Sequence, residues 1–488
     1  MVRPMTVETA IAGAETPNDG QITLVVDLDG TLCRTDTLHE ALLNRVATRP
    51  LGLFRWPGWL TEGKVGFKAR IADLGVLEAR DLPLNEAVLE TVRAAREAGR
   101  RTALVSAADH RQVTAIAAAT ELFDEAYGSA EGQNLKGAEK AAFLKAQYGP
   151  GMFDYIGDSK ADLPVWAVAR HAITVQAGQG LRQAAEAVNP RVSHIDPPEA
   201  RASAMLRALR PHQWSKNLLL FLPMLAAHDL SNLVSVVIGF LSFCLTASAV
   251  YVVNDLIDLP ADRAHPRKCR RPFAAGELSA ATGAVMATGL LLAALILGFL
   301  TGQPAFLGVL SLYLTVTFLY SLYLKRKLLV DVLTLAGLYT VRILAGGAAA
   351  GVILSPWMLG FSMFFFLSLA AIKRQAELVD LKSTGRQGLG RAYEIEDLPV
   401  IRSMAMSAGH AAVLVLALYI SSSDVQQLYP RPVFLWMICP LLLYWCTRML
   451  MKTHRGVMTD DPIVFAVTDR VSQAVGLVSA AIVLAAAV

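Results

Sequence analysis

The sequence predicts a chain of two parts, an N-terminal α/β domain with a doubly wound parallel sheet and a C-terminal all-α bundle of about nine transmembrane helices. Charged residues make up 18% of the chain and hydrophobic residues 54%, and their distribution is uneven. Apolar runs of membrane-spanning length recur from residue 217 onward, which a soluble core would not require. In residues 1–200, by contrast, short apolar strands end in acidic residues and alternate with helical patterns, as in a parallel sheet covered by helices.

Composition changes along the chain indicate the domain boundaries. We predict a tail over 1–20, the α/β domain over 21–185 with a small helical cap at about 35–85, a proline-containing linker over 186–205, and the membrane domain over 206–488. The first 20 residues lack an apolar core, which argues against a cleaved secretory signal. The net charge of +4 is assigned to membrane-flanking loops, so no nucleic-acid partner is expected. The sequence leaves a homo-oligomer open.

Four short motifs in the α/β part carry phosphate chemistry. A β-branched strand ends in Asp27 and Asp29, which suit a nucleophile and a general acid/base, respectively. Ser106 ends a second strand, and Lys136 or Lys140 at a helix start offers an ammonium for phosphate. Two more acids, Asp158 and Asp162, follow a third strand and suit Mg²⁺.

These four ordered motifs resemble those of the haloacid dehalogenase superfamily of phosphatases over roughly residues 21–185. The resemblance implies that Asp27 is the nucleophile, that Asp29 is the general acid/base, and that Ser106 and one lysine bind phosphate. Lys140 is preferred, and Lys136 remains open. Mg²⁺ is expected at Asp27, Asp29, Asp158 and Asp162.

The membrane part contains nine predicted spans whose flanking charges indicate orientation. The spans lie near 217–229, 232–253, 279–300, 304–324, 328–350, 355–376, 400–421, 432–452 and 469–488. Twenty Lys and Arg residues flank them on the side of the α/β domain, and only Arg431 lies on the other side. The positive-inside rule therefore predicts that the α/β domain and Asp255 face the cytoplasm, at the plasma (inner) membrane.

An acidic stretch, Asn254–Arg263, follows the second span. If the helix continues, Asp255, Asp258 and Asp262 lie on one face, where their oxygens suit Mg²⁺ bridging a pyrophosphate. Pro260 is expected to kink or end the helix, so Asp262 is the least securely placed of the three.

Other polar residues are predicted at the same cytoplasmic face. An arginine inside a span is usually directed inward, and for Arg342 an anionic ligand and a tether to Asp331 or to the backbone remain equal alternatives. The remaining candidates for binding a phosphorylated substrate at this face are Tyr320, Lys325, Asp331, Lys373, Arg374, Glu377, Asp461, Asp469 and Arg470.

The region from about 205 to 488 resembles the UbiA superfamily of intramembrane transferases through its NDxxDxxxD stretch. Four further segments resemble the decaprenyl-phosphate phosphoribosyltransferase branch: 210–217, 262–272, 373–377 and 461–470. The resemblance implies phosphoribosyl pyrophosphate as donor and polyprenyl phosphate as acceptor. It adds as substrate-binding residues Lys216, Asn217, Asn254, Arg263, Arg270 and Arg271.

The two resemblances together predict a bifunctional enzyme with Mg²⁺ in both domains. The membrane domain would transfer 5-phosphoribose to polyprenyl phosphate with Asp255 and Asp258 at the catalytic metal, and the phosphatase domain would remove the 5-phosphate, for an arabinofuranose donor pathway of the cell envelope. One alternative is an aromatic prenyltransferase with an accessory phosphatase. The second DxxxD of those enzymes is replaced here by Glu377 and Asp380 at a spacing of three, which disfavours it. A non-enzymatic scaffold ranks last because Asp27 is present.

Overall fold

A computed structural model describes residues 22–48, 70–71, 77–130, 133–196, 201–384, 392–458 and 461–487. The chain forms two compact units. The sheet unit contains the described residues up to Ala208 together with Asp255–Ala284, and the helical unit contains Leu209–Asn254 and the residues from Val285 onward.

The sheet unit is built on six parallel strands in the order β3-β2-β1-β4-β5-β6. The central strand, β1, pairs with β2 through Val25 and Ala103 and with β4 through Val25 and Tyr155. Buried aliphatic clusters cover both faces of the sheet, as a parallel sheet requires. The predicted α/β fold is therefore confirmed. The strands are β1 (Thr23–Val26), β2 (Thr102–Asp109), β3 (Glu125–Ser129), β4 (Phe153–Gly157), β5 (His171–Val175) and β6 (Val192–Ile195).

Helices connect these strands in the alternating order that the sequence predicts. The α-helices of this unit up to Leu209 are α1 (Thr37–Thr48), α2 (Glu86–Glu97), α3 (His110–Thr120), α4 (Ala138–Tyr148), α5 (Leu163–Trp166), α6 (Gln179–Val188) and α7 (Arg201–Leu209). A 3₁₀ turn, Ala79–Asp81, lies in the predicted cap. Most of the rest of that cap, like the predicted tail 1–20, lies outside the described residues.

The predicted linker over 186–205 is wrong in most of its length. Strand β6 pairs with β5 through Ala172 and Val192, and helix α7 begins at Arg201. Pro190, one of the prolines that suggested a linker, lies between the helix Gln179–Val188 and strand β6. Thr174 and His194 hydrogen-bond across the two strands at 2.7 Å, so β6 is an integral edge of the sheet.

Within the described ranges, eight helices are long and apolar enough to cross a membrane. We number the helices that follow α7 in chain order. They are α8 (Leu222–Ala226), α9 (Leu233–Ile257), α10 (Leu259–Arg263), α11 (Ala280–Leu300), α12 (Pro304–Leu322), α13 (Val330–Ala350), α14 (Pro356–Thr384), α15 (Leu398–Ile420), α16 (Ser423–Leu428), α17 (Ile438–His454), α18 (Pro462–Thr468) and α19 (Arg470–Ala487). The spanning candidates are α9, α11 to α15, α17 and α19.

The first of the nine predicted spans, 217–229, does not form a membrane-length helix. An eleven-residue 3₁₀ helix, Pro211–Phe221, occupies its start, and the five-residue helix α8 follows. Pro223 in α8 cannot donate a backbone hydrogen bond. Lys216 and Asn217 are buried polar residues with side-chain partners, so polar contacts shape this stretch and it is not a uniform apolar span.

Close backbone packing holds the 3₁₀ helix against α13. At Gly346, a Cβ atom would lie 2.1 Å from the carbonyl oxygen of Leu220, a distance that no real side chain tolerates. Glycine therefore permits this helix contact, in the way that small residues permit close approach between membrane helices.

We expect Gly346→Ala to destabilise the helical unit by about 2 kcal/mol, because the added methyl group forces two backbones apart. Thermal unfolding of the purified full-length protein in detergent measures the change. Gly337→Ala is the matched control, since a Cβ added to Gly337 on the same helix would meet no heavy atom within 4 Å. Equal melting temperatures for the two variants would contradict the packing assignment.

Candidate active sites and family membership

Three carboxylates meet at the carboxyl edge of the sheet. Asp27 follows β1, and Asp158 and Asp162 follow β4, which is the neighbouring strand. Each of the three offers an oxygen within 4.8 Å of the others. Because adjacent parallel strands end at the same edge, Asp27 joins one cluster with two acids that lie 131 or more positions later in the sequence.

Lys140 is the lysine that the fold places at this cluster. Its Nζ donates to Asp27 Oδ1 at 3.0 Å and to the Tyr155 hydroxyl at 2.8 Å. Tyr155 in turn donates to Asp162 Oδ1 at 2.9 Å. Lys136 is exposed and lines the same cavity. The geometry favours Lys140, in line with the preference drawn from the sequence.

Burial of these acids disfavours their charged forms. It raises the pKa of Asp27, an effect that the ammonium of Lys140 opposes and the charge of Asp162 reinforces. Burial raises the pKa of Asp158 to about 8, with further contributions from Asp27 and Asp162. A buried cluster with too little positive charge suits a divalent cation with oxygen ligands, so Asp27, Asp158 and Asp162 fit Mg²⁺.

Asp29 is placed differently from the sequence prediction. Its carboxylate does not belong to the three-carboxylate group, and its Oδ1 accepts a hydrogen bond from the backbone N–H of Thr37 at 2.7 Å. Its side chain is therefore not a metal ligand in this arrangement. Burial, followed by the charge of Asp36, raises the pKa of Asp29 to about 7. A carboxyl group that titrates near neutral pH suits proton transfer, so the acid/base interpretation is retained.

These groups open into one cavity of about 980 Å³. Ser106, at the end of the buried part of β2, is also in its lining, and its Oγ accepts a hydrogen bond from the backbone N–H of Ala108 at 3.1 Å. The cavity thus contains two carboxyl groups suited to nucleophilic attack and to proton transfer, a hydroxyl and an ammonium, and phosphate-ester hydrolysis requires such a set.

The acidic stretch after α9 is broken where proline predicted a break. Helix α9 ends at Ile257, and α10 begins at Leu259 with Pro260 as its second residue. The break does not separate the acids. Arg271 Nη1 contacts Asp255 Oδ1 at 3.2 Å and Asp262 Oδ2 at 2.5 Å, so the two buried carboxylates converge on one guanidinium. Asp258 is half-buried, and its backbone oxygen accepts the backbone N–H of Asp262 at 2.8 Å.

Arg263 does not fit the predicted role in phosphate binding. Its guanidinium donates to both carboxylate oxygens of Glu40, at 2.8 and 3.0 Å, and to the backbone oxygens of Asp81 and Ala274. With these four hydrogen bonds in place it is a structural tether. Arg270, by contrast, is exposed.

In the helical unit, Lys216 forms an ion pair with Asp461. Asp461 also caps α18 by accepting the backbone N–H groups of Ile463 at 3.0 Å and Val464 at 3.4 Å. Although burial raises the pKa of Asp461, the charges of Lys216 and then Lys373 outweigh it, and the pKa is lowered. Two predicted substrate-binding lysines thus converge on one predicted acid.

A second buried pair joins α13 to α14. Arg374 Nη2 contacts Asp331 Oδ2 at 2.7 Å, and both side chains are almost fully buried. Arg374 also pairs with Glu377, and the Tyr320 hydroxyl lies 3.4 Å from Asp331 Oδ1. Beside Arg374, Gln375 is fully buried, and neither of its amide atoms has a hydrogen-bond partner among the described residues. Sequence patterns had not marked Gln375 as a site residue, although a polar residue inside a span is a signal.

The side chain of Arg342 contacts both the backbone and neighbouring side chains. It donates to Asn217 Oδ1 at 3.0 Å and to the carbonyl of Leu338 at 2.6 Å, and it lies over the ring of Tyr313. The backbone tether is therefore present and the tether to Asp331 is wrong, since Asp331 pairs with Arg374. Asn217 is an orienting partner of this arginine.

The remaining predicted site residues differ in their burial and in their protein partners. Asp469 accepts two hydrogen bonds from Arg448, at 2.7 and 2.9 Å, and caps α19 through Ser472, so its oxygens are used for structure. Its role in substrate binding stays a prediction. Arg470 is exposed, whereas Asn254 and Lys325 are half-buried.

The parallel α/β domain has a carboxylate centre suited to phosphate, and eight membrane-length helices follow it within the described ranges. These features define an integral membrane protein that carries a hydrolase-like domain. The model of the UbiA prenyltransferase family matches residues 218–486, and that of haloacid dehalogenase-like hydrolases matches residues 24–166. The chain belongs to the UbiA prenyltransferase family and carries a haloacid dehalogenase-like domain. Both predicted resemblances are confirmed. Together the two domains support a bifunctional enzyme.

Three relatives illustrate this membership. The protein y4nM of Sinorhizobium fredii is 37% identical over 481 residues, which cover 96% of this chain and 92% of that protein. Nodulation protein NoeC of Azorhizobium caulinodans is 38% identical over 54% of this chain and 86% of its own length. Decaprenyl-phosphate phosphoribosyltransferase of Corynebacterium glutamicum is 33% identical over 58% of this chain and 86% of its own length.

Because Gly30 has no side chain, the carboxylate of Asp158 can lie against its backbone and close to Asp27. A Cβ at Gly30 would lie 2.1 Å from Asp158 Oδ2, so Gly30→Ala must displace a carboxylate of the cluster. We expect Mg²⁺-dependent p-nitrophenyl phosphate hydrolysis to fall by roughly 100-fold, because a displaced metal ligand forfeits several kcal/mol of charge stabilisation.

The control for this variant is Gly99→Ala. Gly99 has a φ of 76°, close to the 77° of Gly30, but a Cβ added there would meet no heavy atom within 4 Å. It therefore carries the same backbone penalty without the contact. An equal loss of hydrolysis in both variants would trace the effect to backbone strain and contradict the proposed role of Gly30.

Proposed function

We propose that this protein transfers 5-phosphoribose from phosphoribosyl pyrophosphate to polyprenyl phosphate and then removes the 5-phosphate from the lipid product. The proposal depends most on one observation, the convergence of Asp255 and Asp262 on Arg271. The chain that holds this group is one third identical to a decaprenyl-phosphate phosphoribosyltransferase, over most of that protein's length.

In the transferase step, Asp255, Asp258 and Asp262 would hold Mg²⁺, and Arg271 lies beside them to bind phosphate oxygens. Arg271 Nη1 approaches Asp255 at 3.2 Å and Asp262 at 2.5 Å, which supports the action of these two buried carboxylates on one shared ligand. Bound Mg²⁺ would neutralise the charge that develops on the departing pyrophosphate. The protein's own contribution is to position the ribose so that a phosphate oxygen of the acceptor lipid attacks its anomeric carbon.

The helical unit has polar groups of its own that suit an anion. Lys216 pairs with Asp461, and Arg374 is oriented by Asp331 and Glu377. Because Lys216 and Arg374 are each held by a carboxylate, their positions are set before an anion arrives, which lowers the reorganisation needed on binding. The amide of Gln375 adds a buried donor and acceptor beside Arg374.

In the phosphatase step, an oxygen of Asp27 would attack the phosphorus atom and form an aspartyl phosphate. Asp29 would donate its proton to the leaving sugar oxygen and later accept one from the attacking water. Ser106 and Lys140 would bind the phosphoryl oxygens. Asp27, Asp158 and Asp162 would hold Mg²⁺, which supplies charge stabilisation when bound.

The two reactions suit one chain because the first generates the substrate of the second. The transferred group still carries a 5-phosphate monoester, and a tethered phosphatase meets it at a raised effective concentration. The excess of Lys and Arg in the loops on the phosphatase side of the predicted spans supports a cytoplasmic location for both sites at the plasma membrane. The product, polyprenyl-phosphoryl ribose, would enter a pathway that makes an arabinofuranose donor.

The alternative is an aromatic prenyltransferase with an accessory phosphatase, which the description of the matched family favours. Such an enzyme would consume an isoprenyl diphosphate and an aromatic acid and ignore phosphoribosyl pyrophosphate. At the corresponding place in α14, Glu377 is paired with Arg374 in place of an aspartate pair spaced for a second metal, which favours the phosphoribosyl donor.

Two substitutions in the full-length protein, purified in detergent, test the transferase step and the phosphatase step separately. With labelled phosphoribosyl pyrophosphate, Mg²⁺ and decaprenyl phosphate, Asp255→Asn should reduce lipid labelling by roughly 100-fold or more through loss of metal stabilisation. Asp27→Asn should leave labelling intact while the 5-phosphorylated lipid accumulates. Thin-layer chromatography of the extracted lipids distinguishes the two products.

The matched control is Asp229→Asn, which removes an exposed carboxylate just before α9 and should leave both steps unchanged. Wild-type protein that labels no lipid with this donor, but converts an isoprenyl diphosphate and an aromatic acid, would support the alternative. Complete 5-dephosphorylation by Asp27→Asn would refute the coupling of the two domains.

A further inference from the structure

Arg263 belongs by sequence to the transferase motif, yet it contacts the phosphatase part of the sheet unit. Its bidentate pair with Glu40 leaves only 10% of the arginine side chain and 5% of the glutamate side chain exposed. A further bond from Nη1 reaches the carbonyl of Asp81 at 2.7 Å. Buried, bidentate pairs of this kind hold their partners far more firmly than exposed ones do.

Glu40 connects this pair to the phosphatase acid/base. It lies in the first turn of α1, and the first residue of that helix, Thr37, donates its backbone N–H to Asp29 Oδ1 at 2.7 Å. Glu40 and Thr37 are three residues apart, which is about one helical turn. A displacement of Glu40 would therefore move the N–H group that orients Asp29.

The segment that carries Arg263 also reaches the phosphatase cavity. Gly276, Glu277, Ser279 and Ala281 lie in its lining together with Asp27 and Asp29. The contact is close, since a Cβ at Gly276 would lie 2.9 Å from the Cβ atoms of Arg34 and Pro83. Glu277 forms an ion pair with Arg207, which is a second polar link within the unit.

We propose that Arg263 is a positioning residue of the phosphatase. By holding Glu40, it fixes the start of α1, which sets the orientation in which Asp29 protonates the leaving oxygen. The inference rests on the proposed phosphatase function and extends it, because a residue of the transferase motif then controls the second reaction. It also gives the segment from α10 to Ala281 a role in substrate hydrolysis as well as in pyrophosphate binding.

The test compares two phosphate monoesters that differ in their need for an acid. Ribose 5-phosphate has an alkoxide leaving group that must be protonated, whereas p-nitrophenolate leaves with little help. Misplacing a general acid therefore slows the first reaction selectively. The ratio kcat/KM reports formation of the aspartyl phosphate, the step in which the leaving group departs. With full-length protein in detergent and Mg²⁺, Arg263→Gln should lower kcat/KM for ribose 5-phosphate by about 30-fold and kcat/KM for p-nitrophenyl phosphate by less than about 3-fold.

Two further variants separate positioning from general damage. Glu40→Gln should reproduce the selective loss, and the double variant should be no worse than either single one, because both remove the same interaction. Arg267→Gln is the control, since it removes an exposed arginine four residues farther along the same segment. Retained hydrolysis of p-nitrophenyl phosphate shows that each variant is folded.

Three outcomes are decisive. The selective loss with non-additivity supports the proposal. An unchanged kcat/KM for ribose 5-phosphate in Arg263→Gln, or an equal loss of kcat/KM with both substrates, overturns it while leaving the phosphatase assignment intact. Wild-type protein that hydrolyses neither compound refutes the phosphatase function, and the positioning role falls with it.

Discussion

Charge that is removed from water must be compensated, and this constraint shapes both units of the protein. In the sheet unit, Lys140 lies between Asp27 and the Tyr155 hydroxyl that bonds Asp162. In the helical unit, Arg374 is buried against Asp331. Removing either partner from such a pair would leave an isolated buried charge, which costs several kcal/mol. The functional residues are consequently also the residues on which local structure depends.

The carboxylate cluster of the sheet unit illustrates how this constraint leads to function. A single ammonium faces three acids, so the group retains a deficit of positive charge even after pairing. Protonation relieves the deficit in part, as the raised pKa values of Asp27 and Asp158 indicate. A divalent cation would relieve it more completely and would favour the ionised form of Asp27. Under the proposed function, the same arrangement would serve both stability and metal binding.

The same residue types serve different purposes in this chain, according to their partners. Arg271 joins two motif acids beside a candidate pyrophosphate site, whereas Arg263, eight residues earlier, is held entirely by protein oxygens. Asp461 accepts a lysine and caps a short helix, whereas Asp469 is held by Arg448 and caps the last helix. The protein partners of a guanidinium or carboxylate therefore show which of the motif residues serve structural contacts.

The sequence by itself determined the two-part organisation, because strand-end acids and long apolar runs are local patterns with local physical causes. It also identified the phosphatase acids, the acidic stretch and its break at Pro260. Tertiary structure decided that β6 extends the sheet through the predicted linker and that the first predicted span is a 3₁₀ segment. It brought Lys140 to Asp27, directed Arg263 to Glu40 and Asp469 to Arg448, and brought Arg271 to Asp255 and Asp262. These contacts join residues 9 to 223 positions apart, and sequence spacing does not specify such partners.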